Sequence, residues 1–513
     1  MADAEYLLGI DIGTTGSKAL LVRTTGEPAA EATVEYPMAT PKPLWAEQDP
    51  AHWWSATVAA IQAVLEQAGI PGTRVVGVGL TGQMHGLVLL DQAGHVLRPC
   101  IMWNDQRTAD QCAAITRTVG PARVLKLTGN PVLPGFTAPK IAWVREHEPN
   151  VYRRIAHVLL PKDYIRYRLT GMLLGEVSDA SGTALFDVGR RTWSDEMLAA
   201  VDVPRAWLPD VTESPEPSAA ITPEAAGRTG LSPGTPVVGG AGDQAAQAVG
   251  CGIVREGLVS ATLGTSGVVF AASASYRVEP EGRLHAFCHA VPGMWHLMGV
   301  MLSAAGSFRW YRDTLGSEEI ALARQQRRSA YELLTEQAAT VAAGCEGLLF
   351  LPYLSGERTP HPDPNARGAF VGLTLRHTKA HLTRAVLEGV SYGMCDSLEL
   401  MRGLGVPAEQ VRASGGGARS KLWRQMLADV FRTPIATLNV AQGAALGAAL
   451  LAGVGVEIFA NVPAAAETVV RVVEEITPGP DADVYARYYP RYRALYPALA
   501  GEFAKIATVA AGG

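Results

Sequence analysis

The stretch YLLGIDIGTTGSKALLVR, residues 6–23, decides the fold. It is two apolar runs separated by a turn of small residues. Tyr6–Ile12 predicts a buried strand, Gly13–Gly16 a tight turn and Ser17–Arg23 a return strand, so the chain opens on a β-hairpin. A glycine turn that leads into a strand, not a helix, is not a dinucleotide fingerprint, and no G-x-x-x-x-G-K-[ST] loop occurs in the chain. The glycines and threonines can instead present backbone N–H and hydroxyl groups to a phosphate. Asp11, at the end of the first strand, has two readings. It either caps neighbouring N–H groups or anchors, directly or through water, the magnesium that accompanies a nucleotide.

Outward from the hairpin, Ala29–Tyr36 predicts a third strand. Asp49-Pro50 predicts an N-cap and first helical residue, with the helix running to about Gln67. Arg74–Leu80 predicts a strand and Thr81-Gly82-Gln83 a turn. A related order returns later: strand Gly257–Leu263, turn Gly264–Gly267, strand Val268–Ala272, and a third strand at Trp295–Leu302. After it come a helix over Lys379–Arg402, a strand at Val411–Ala413, a glycine-rich turn, a helix over Lys421–Phe431, a strand at Ile435–Leu438 and a helix from Gly443. Ala385, Gly389 and Gly393 form a small-residue stripe on the first of these helices, which permits close approach. The expectation is an α/β protein of two similar halves, divided near Cys251–Glu256 into residues 1–252 and 253–513, with a cleft between them. Pro204–Pro236 reads as surface structure of the first half.

Composition narrows the function. The chain has 513 residues, too many for one ordinary core, and is 48% hydrophobic and 18% charged. Its formal net charge is −5, and no lysine or arginine cluster stands out, which argues against a nucleic-acid surface. Met1–Tyr6 lacks the pattern of a secretory signal. Ala444–Val456, the richest apolar run, is too short to span a membrane and reads as a buried helix. Six cysteines, at 100, 112, 251, 288, 345 and 395, contain no C-x-x-C pair; the expectation is free thiols in a reducing cytoplasm.

Three turns combine glycine with serine or threonine: Gly13–Gly16, Gly264–Gly267, and Ser414–Ser420 with Gly415, Gly416 and Gly417. Singly, each is an ordinary turn; three in this order point to a bound nucleotide. Pro236–Gly240 predicts a strand running into Ala241-Gly242-Asp243-Gln244. Asp243 is either the N-cap of the following helix or the acceptor of a proton from an attacking hydroxyl. Gln83-Met84-His85-Gly86 and Trp103-Asn104-Asp105-Gln106-Arg107 each follow a strand. His85, Asn104 and Asp105 offer hydrogen bonds, and Met84 and Trp103 an apolar wall, as a sugar pocket requires. The plainer alternatives are a structural histidine, a core methionine and a surface Asp105–Arg107 pair.

With these residues in view, the chain resembles the FGGY carbohydrate kinases, and within them the branch that acts on D-xylulose. The likeness runs from about Leu8 to Ala452. It is carried by GIDIGTTGSK (9–18), PLWAEQDP (43–50), GQMHG (82–86), LRPCIMWNDQR (97–107), PGFTAPK (134–140), LLPKDYIR (159–166), GGAGDQAAQAVG (239–250), LGTSG (263–267), LPYLSGERTPH (351–361), RAVLEGV (384–390) and GGGARSKLWRQMLAD (415–429). The resemblance implies two ribonuclease-H-like domains of the actin-like ATPase kind with a catalytic cleft between them. Residues 1–252 would hold the sugar and the first phosphate loop, and residues 253–513 the ATP.

It implies Asp243 as the proton acceptor, with Asp11 and Asp243 on Mg2+. Met84, His85, Trp103, Asn104, Asp105 and Gln244 are the implied sugar contacts. Gly13, Thr14, Thr15, Lys18, Gly264, Thr265 and Ser266 are implied at the ATP phosphates, and Gly415, Gly416, Gly417 and Ser420 at the adenosine. The implied reaction moves the γ-phosphoryl group of ATP to the terminal hydroxyl of D-xylulose, in the cytoplasm, in a homodimer. Alternatives are L-xylulose, ribulose, gluconate or glycerol as substrate and, from another class, an actin- or Hsp70-like ATPase. The chain departs from the pattern in two places. Gln244 stands where many relatives have Asn, and Ala441-Gln442-Gly443 is uncharged where many carry an acid.

Overall fold

β1 (Tyr6–Ile12) and β2 (Gly16–Arg23) form the opening hairpin, with Ile12 opposite Ser17 and Tyr6 opposite Arg23. β1 is covered on both faces, which is why it reads as one apolar run and not as an alternation. β3 (Pro28–Glu35) completes the meander at the sheet edge. α1 (Pro50–Ala68) starts where predicted: the Asp49 carboxylate accepts from the Ala51 N–H at 2.9 Å, and Gly69 closes the helix at φ 63°. β4 (Val75–Gly82) then lies parallel to β1. The turn expected at Thr81-Gly82 comes later, because Thr81 and Gly82 pair with Asp11 and Ile12 and stay in the strand.

β5 (Pro217–Ala220), β6 (Pro236–Val238) and β7 (Ala241–Gly242) complete the seven-stranded sheet, ordered β5-β6-β4-β1-β2-β3 with β7 also on β4. The Pro204–Pro236 segment is thus not surface structure only, since β5 pairs into the sheet edge. α2 (Asp243–Gly250) follows at once.

The second seven-stranded sheet repeats the plan. β8 (Gly257–Leu263), β9 (Gly267–Ser273), β10 (His285–Cys288) and β11 (Trp295–Met301) are antiparallel neighbours. α3 (Lys379–Gly403) leads to β12 (Ala408–Ser414), parallel to β8. α4 (Lys421–Phe431) leads to β13 (Ile435–Leu438), and α5 (Gly443–Gly455) to β14 (Val472–Ile476). The order is β10-β11-β9-β8-β12-β13-β14. In both sheets, therefore, a three-stranded antiparallel run (β1-β2-β3 and β8-β9-β11) is joined by a strand parallel to its first member, and the second sheet adds β10 at its edge. α6 (Ala482–Ala511) closes the chain. The computed structural model describes residues 4–440 and 443–511; Met1–Asp3, and the Ala441–Gln442 part of the uncharged segment noted above, lie outside the described residues.

The glycine stripe on α3 has the expected use: a β-carbon on Gly389 would lie 2.2 Å from the Phe350 carbonyl oxygen. The same device joins the two sheets. α5 follows the second sheet's β13, yet it packs on the first sheet's β1 and β4. β-Carbons on Gly9 and Gly79 would fall 2.0 Å and 1.9 Å from the carbonyl oxygens of Ala445 and Ala448. α5 also crosses α2 in backbone contact, since a β-carbon on Gly447 would lie 1.9 Å from the Ala246 oxygen. Ala444–Gly453 of α5 is wholly buried, as the sequence predicts. The six cysteines are buried and unbonded. Among the described residues no helix is long and apolar enough to cross a membrane.

Candidate active site

The strand register places the two carboxylates. Asp11 of β1 and Ala241 of β7 both pair with Thr81 of β4, and Ile12 and Gly242 both pair with Gly82. Asp11 and Asp243 therefore emerge at the carboxyl ends of strands flanking β4, where open α/β sheets form crevices. The approach needs glycine: Gly240 adopts φ 76°, and a β-carbon there would lie 2.1 Å from the Leu80 oxygen. The capping alternative for Asp243 is corrected by the structure. Gly242 is the N-cap of α2, no side chain caps it, and Asp243 is the first helical residue.

Both carboxylates are half-open to the cleft and otherwise surrounded by protein. Burial, and then the charge of Asp11, push Asp243 up to about 7; hydrogen bonds from Gln244 pull it down. Burial raises Asp11 to about 6 against the charge of Lys18. Asp11 Oδ1 and Thr81 Oγ1 are buried without a hydrogen-bond partner. Lys18 lies 3.9 Å from Glu31, a loose and half-exposed pair worth little by itself.

The first glycine turn is held from several sides. Tyr36 Oη donates to the Gly13 carbonyl at 2.5 Å, Gln48 Nε2 to the Thr14 carbonyl at 2.7 Å, and Trp103 Nε1 to Thr14 Oγ1 at 3.0 Å. Thr15 is left exposed. In the second turn the Gly264 carbonyl accepts from Ala305 at 2.9 Å and the Thr265 carbonyl from Ala304 at 2.9 Å, while Thr265 and Ser266 stay exposed. The third turn adjoins it, with Thr262 Oγ1 3.0 Å from Ser414 Oγ. Gly415 needs to be glycine for the backbone's sake, at φ 85° with a β-carbon 2.6 Å from the Leu263 oxygen.

Gly416 is different. A β-carbon there meets no protein atom within 4 Å. It lines a cavity of about 340 Å³ with Gly417, Ser420, Phe308, Tyr331 and Trp423, an aromatic-lined space of a size for a nucleoside. The Ser420 hydroxyl itself is used as the α4 cap, accepting from the Trp423 N–H at 3.3 Å. Gly416→Val should therefore fold normally and raise KM for ATP at least about tenfold, by loss of packing in an apolar pocket, with KM for the sugar unchanged. Steady-state titration of each substrate checks it; an unchanged KM for ATP would place the adenosine elsewhere.

On the other side, Met84 is buried, and a β-carbon on Gly242 would touch its Cγ at 3.0 Å. His85 adopts φ 71° and stacks on Phe136 with ring centroids 4.6 Å apart. Its Nδ1 donates to the Gly182 carbonyl at 2.6 Å. Burial lowers its pKa to about 3, so the ring is neutral and Nε2 is left as an acceptor. Asn104 Oδ1 is buried and unpartnered. Trp103 is 42% exposed. Asp105 does not face the cleft. It is fully buried, and its oxygens accept from Ala46 N at 2.7 Å, Arg107 Nε at 2.9 Å and Arg107 Nη2 at 2.7 Å. It fastens the Trp103-Asn104 loop to the Trp45-Ala46 strand region.

A second cavity, of about 310 Å³, has walls from both halves: His85, Trp103 and Phe136 face Phe287, Glu357 and Arg358. Asp243 does not line it. The link is the Met84–His85 pair, one member on Gly242 and the other in the cavity wall.

Sequence reasoning assigned no role to a buried charged group behind Asp243. Lys162 Nζ lies 2.5 Å from Asp163 Oδ1, 3.7 Å from Asp179 Oδ2 and 3.5 Å from the Gly239 oxygen. Glu176 accepts from Ser178 Oγ at 2.8 Å and Ser214 Oγ at 2.6 Å, and Ser178 Oγ in turn accepts from the Gly242 N–H at 3.0 Å. This network fixes the backbone that aims Asp243. Lys162 and Asp163 stand in the LLPKDYIR motif, but nothing in their spacing announces partners at 176 and 179. Among the described residues no cluster of three His, Cys, Asp or Glu side chains could hold a metal. Asp11 and Asp243, with an unsatisfied buried oxygen, fit an ion that needs only one or two carboxylates.

Comparison with known proteins returns two family models: the N-terminal domain of the FGGY family of carbohydrate kinases over residues 6–250 and its C-terminal domain over residues 259–456. The chain is 44% identical over 501 residues to the xylulose kinase of Escherichia coli K12, covering 96% of this chain and 99% of that one. It is 32% identical over 448 residues to the gluconokinase of Bacillus subtilis, covering 87% and 86%. The crystal structure of xylulose kinase from Rhodospirillum rubrum superimposes with a TM-score of 0.91 at 35% identity, over 97% of this chain and all of that one.

Proposed function

Because the chain belongs to the FGGY family of carbohydrate kinases, with their two-domain actin-like ATPase fold, we propose that it transfers the γ-phosphoryl group of ATP to the terminal hydroxyl of D-xylulose, giving D-xylulose 5-phosphate and ADP. One arrangement carries the reaction type. Asp243, free of capping duty, adjoins Asp11 on one side and, through Gly242, the Met84–His85 pair on the other. The likeness to the E. coli enzyme supports the choice of sugar.

In this reading residues 1–252 hold the sugar and the first phosphate turn, and residues 253–513 hold the adenosine. The Asp243 carboxylate takes the hydroxyl proton. The freed oxygen bonds to the γ-phosphorus, the β–γ bridging P–O bond breaks, and its electron pair leaves with ADP. Asp243 supplies about 10²–10⁴ of the rate, and most of the rest comes from alignment and charge neutralisation. Backbone N–H groups of the Gly13–Gly16 and Gly264–Gly267 turns other than that of Gly13, which donates to the Gly16 carbonyl at 3.0 Å, take the phosphate oxygens with the hydroxyls of Thr14, Thr15, Thr265 and Ser266, and Lys18 adds a nearby positive charge. His85 Nε2 accepts a sugar hydroxyl, Asn104 and Gln244 offer further hydrogen bonds, and Trp103 walls the site. Held by Asp11 and Asp243 together with the nucleotide, Mg2+ would supply neutralisation of phosphate charge. We place the reaction in the cytoplasm, in a homodimer.

A coupled ADP-release assay across D-xylulose, L-xylulose, D-ribulose, gluconate and glycerol tests this. The expected result is the highest kcat/KM with D-xylulose, abolished by EDTA and restored by magnesium. Equal turnover of the other polyols would remove the sugar assignment. Sugar-independent hydrolysis without a phosphosugar would remove the kinase.

A further inference from the structure

The cavity between the halves is lined by a cation that no described residue pairs. Arg358 enters it from the C-terminal half, facing His85, Trp103 and Phe136. Its backbone N–H is used by Glu357 at 2.7 Å, but its guanidinium makes no hydrogen bond and no ion pair with any described residue. The residue is solvent-accessible and lines the cavity, and the protein around its guanidinium lowers its pKa. Its neighbour does not neutralise it. Glu357 is 4% exposed, its Oε1 is taken by the N–H groups of Leu302 at 2.9 Å and Arg358, and its Oε2 is buried without a partner. Burial pushes Glu357 up to about 8, so at neutral pH it mostly keeps its proton.

The segment that carries both residues is rigid. The Thr359 N–H bonds the Val300 carbonyl at 3.0 Å, Thr359 Oγ1 donates to the Arg283 carbonyl at 2.8 Å, and Glu357 and Asp363 exchange backbone hydrogen bonds at 2.9 Å and 3.1 Å. Five N–H donors that no described residue satisfies thus line a space of about 310 Å³, with His85, Trp103 and Phe136 on the opposite wall.

Neither Asp243 nor any of the three glycine turns lines the space, although Trp103 and the Met84–His85 pair connect it to both. A substrate whose reacting hydroxyl lies at Asp243 would extend past His85 into this space with its far end. We propose that Arg358 is a sugar-binding residue, its guanidinium fork donating to the carbonyl oxygen and neighbouring hydroxyl at the C1–C2 end of the open-chain ketose, with Glu357 holding the Arg358 backbone. This rests on the ketose kinase reading above. It makes the sugar a bridge between the halves, gripped by His85 from one and Arg358 from the other.

The test is steady-state kinetics of wild type, Arg358→Gln and Arg358→Lys with ATP, D-xylulose and 1-deoxy-D-xylulose, which lacks the C1 hydroxyl. Losing charge-assisted hydrogen bonds should raise KM for D-xylulose about ten- to a hundredfold in Arg358→Gln, with KM for ATP within about twofold. Wild type should favour D-xylulose over the deoxy sugar, and Arg358→Gln should lose most of that preference. Arg358→Lys, which keeps the charge but not the fork, should fall between. The inference is overturned if Arg358→Gln keeps the wild-type KM, keeps the full preference for the C1 hydroxyl, or raises KM for ATP equally. Absence of wild-type turnover on D-xylulose would remove the proposed function and this inference with it; wild-type turnover with an unaltered Arg358→Gln removes the inference alone.

Discussion

Asp243→Asn should lower kcat by about 10²–10⁴ while ATP binding, followed by calorimetry, stays near that of wild type. The substitution preserves shape and removes the carboxylate assigned to take the hydroxyl proton. The pH profile provides a second check. A base works only when ionised, and burial together with the Asp11 charge raises Asp243 from the ordinary carboxylate value to about 7. Raised affinity for the proton means less base at low pH, so wild-type kcat/KM should climb as pH rises through about 7 and level off above it. Asp11, raised to about 6 by burial, adds to the loss on the acid side. The residual activity of Asp243→Asn should lack the limb near 7. A variant with wild-type kcat, or a wild-type profile flat from pH 5 to 8, would disprove the assignment.

Gly447→Val should be strongly destabilising and should also slow the chemistry. Propensity favours replacement, since glycine inside a helix costs about 1 kcal/mol relative to alanine. Contact opposes it and should win. A β-carbon at Gly447 would sit 1.9 Å from the Ala246 carbonyl oxygen, and backbone cannot turn aside as a side chain can. Overpacking typically costs about 1–3 kcal/mol, and here the upper end applies, enough to lower the unfolding temperature by several degrees. Because α2 begins at Asp243, pushing it off α5 also moves the base, so kcat should fall with stability. Scanning fluorimetry and the coupled assay read both. Unchanged melting in Gly447→Val and Gly447→Ala would mean that the two helices are not in backbone contact.

Much of the framework was legible because its signals are local. Hairpin turns, the Asp49-Pro50 helix start and the apolar strands β1 and β8 are written in adjacent residues, and they appear within a residue or two of the expected bounds. The misreadings arose where a distant partner decided the outcome. Thr81 and Gly82 look like a turn in isolation, but hydrogen bonds to β1 keep them in β4. Asp105 looks like a sugar ligand beside Trp103 and Asn104, but Ala46 and Arg107 use its oxygens. The ions behind Asp243 were invisible because the cost of burying Lys162 and Glu176 is met by groups far along the chain.

The sequence by itself determined two α/β halves, three turns of glycine with serine or threonine and a short set of polar candidates, because glycine conformation, strand periodicity and helix caps act over a few residues. Only the tertiary structure removed the capping reading of Asp243. A strand-end aspartate before a helix looks the same whether or not it caps, and it is the register of β7 on β4 that makes Gly242 the cap. Tertiary structure also brought Arg358 opposite His85, since a pocket between halves exists only once both sheets have formed and packed.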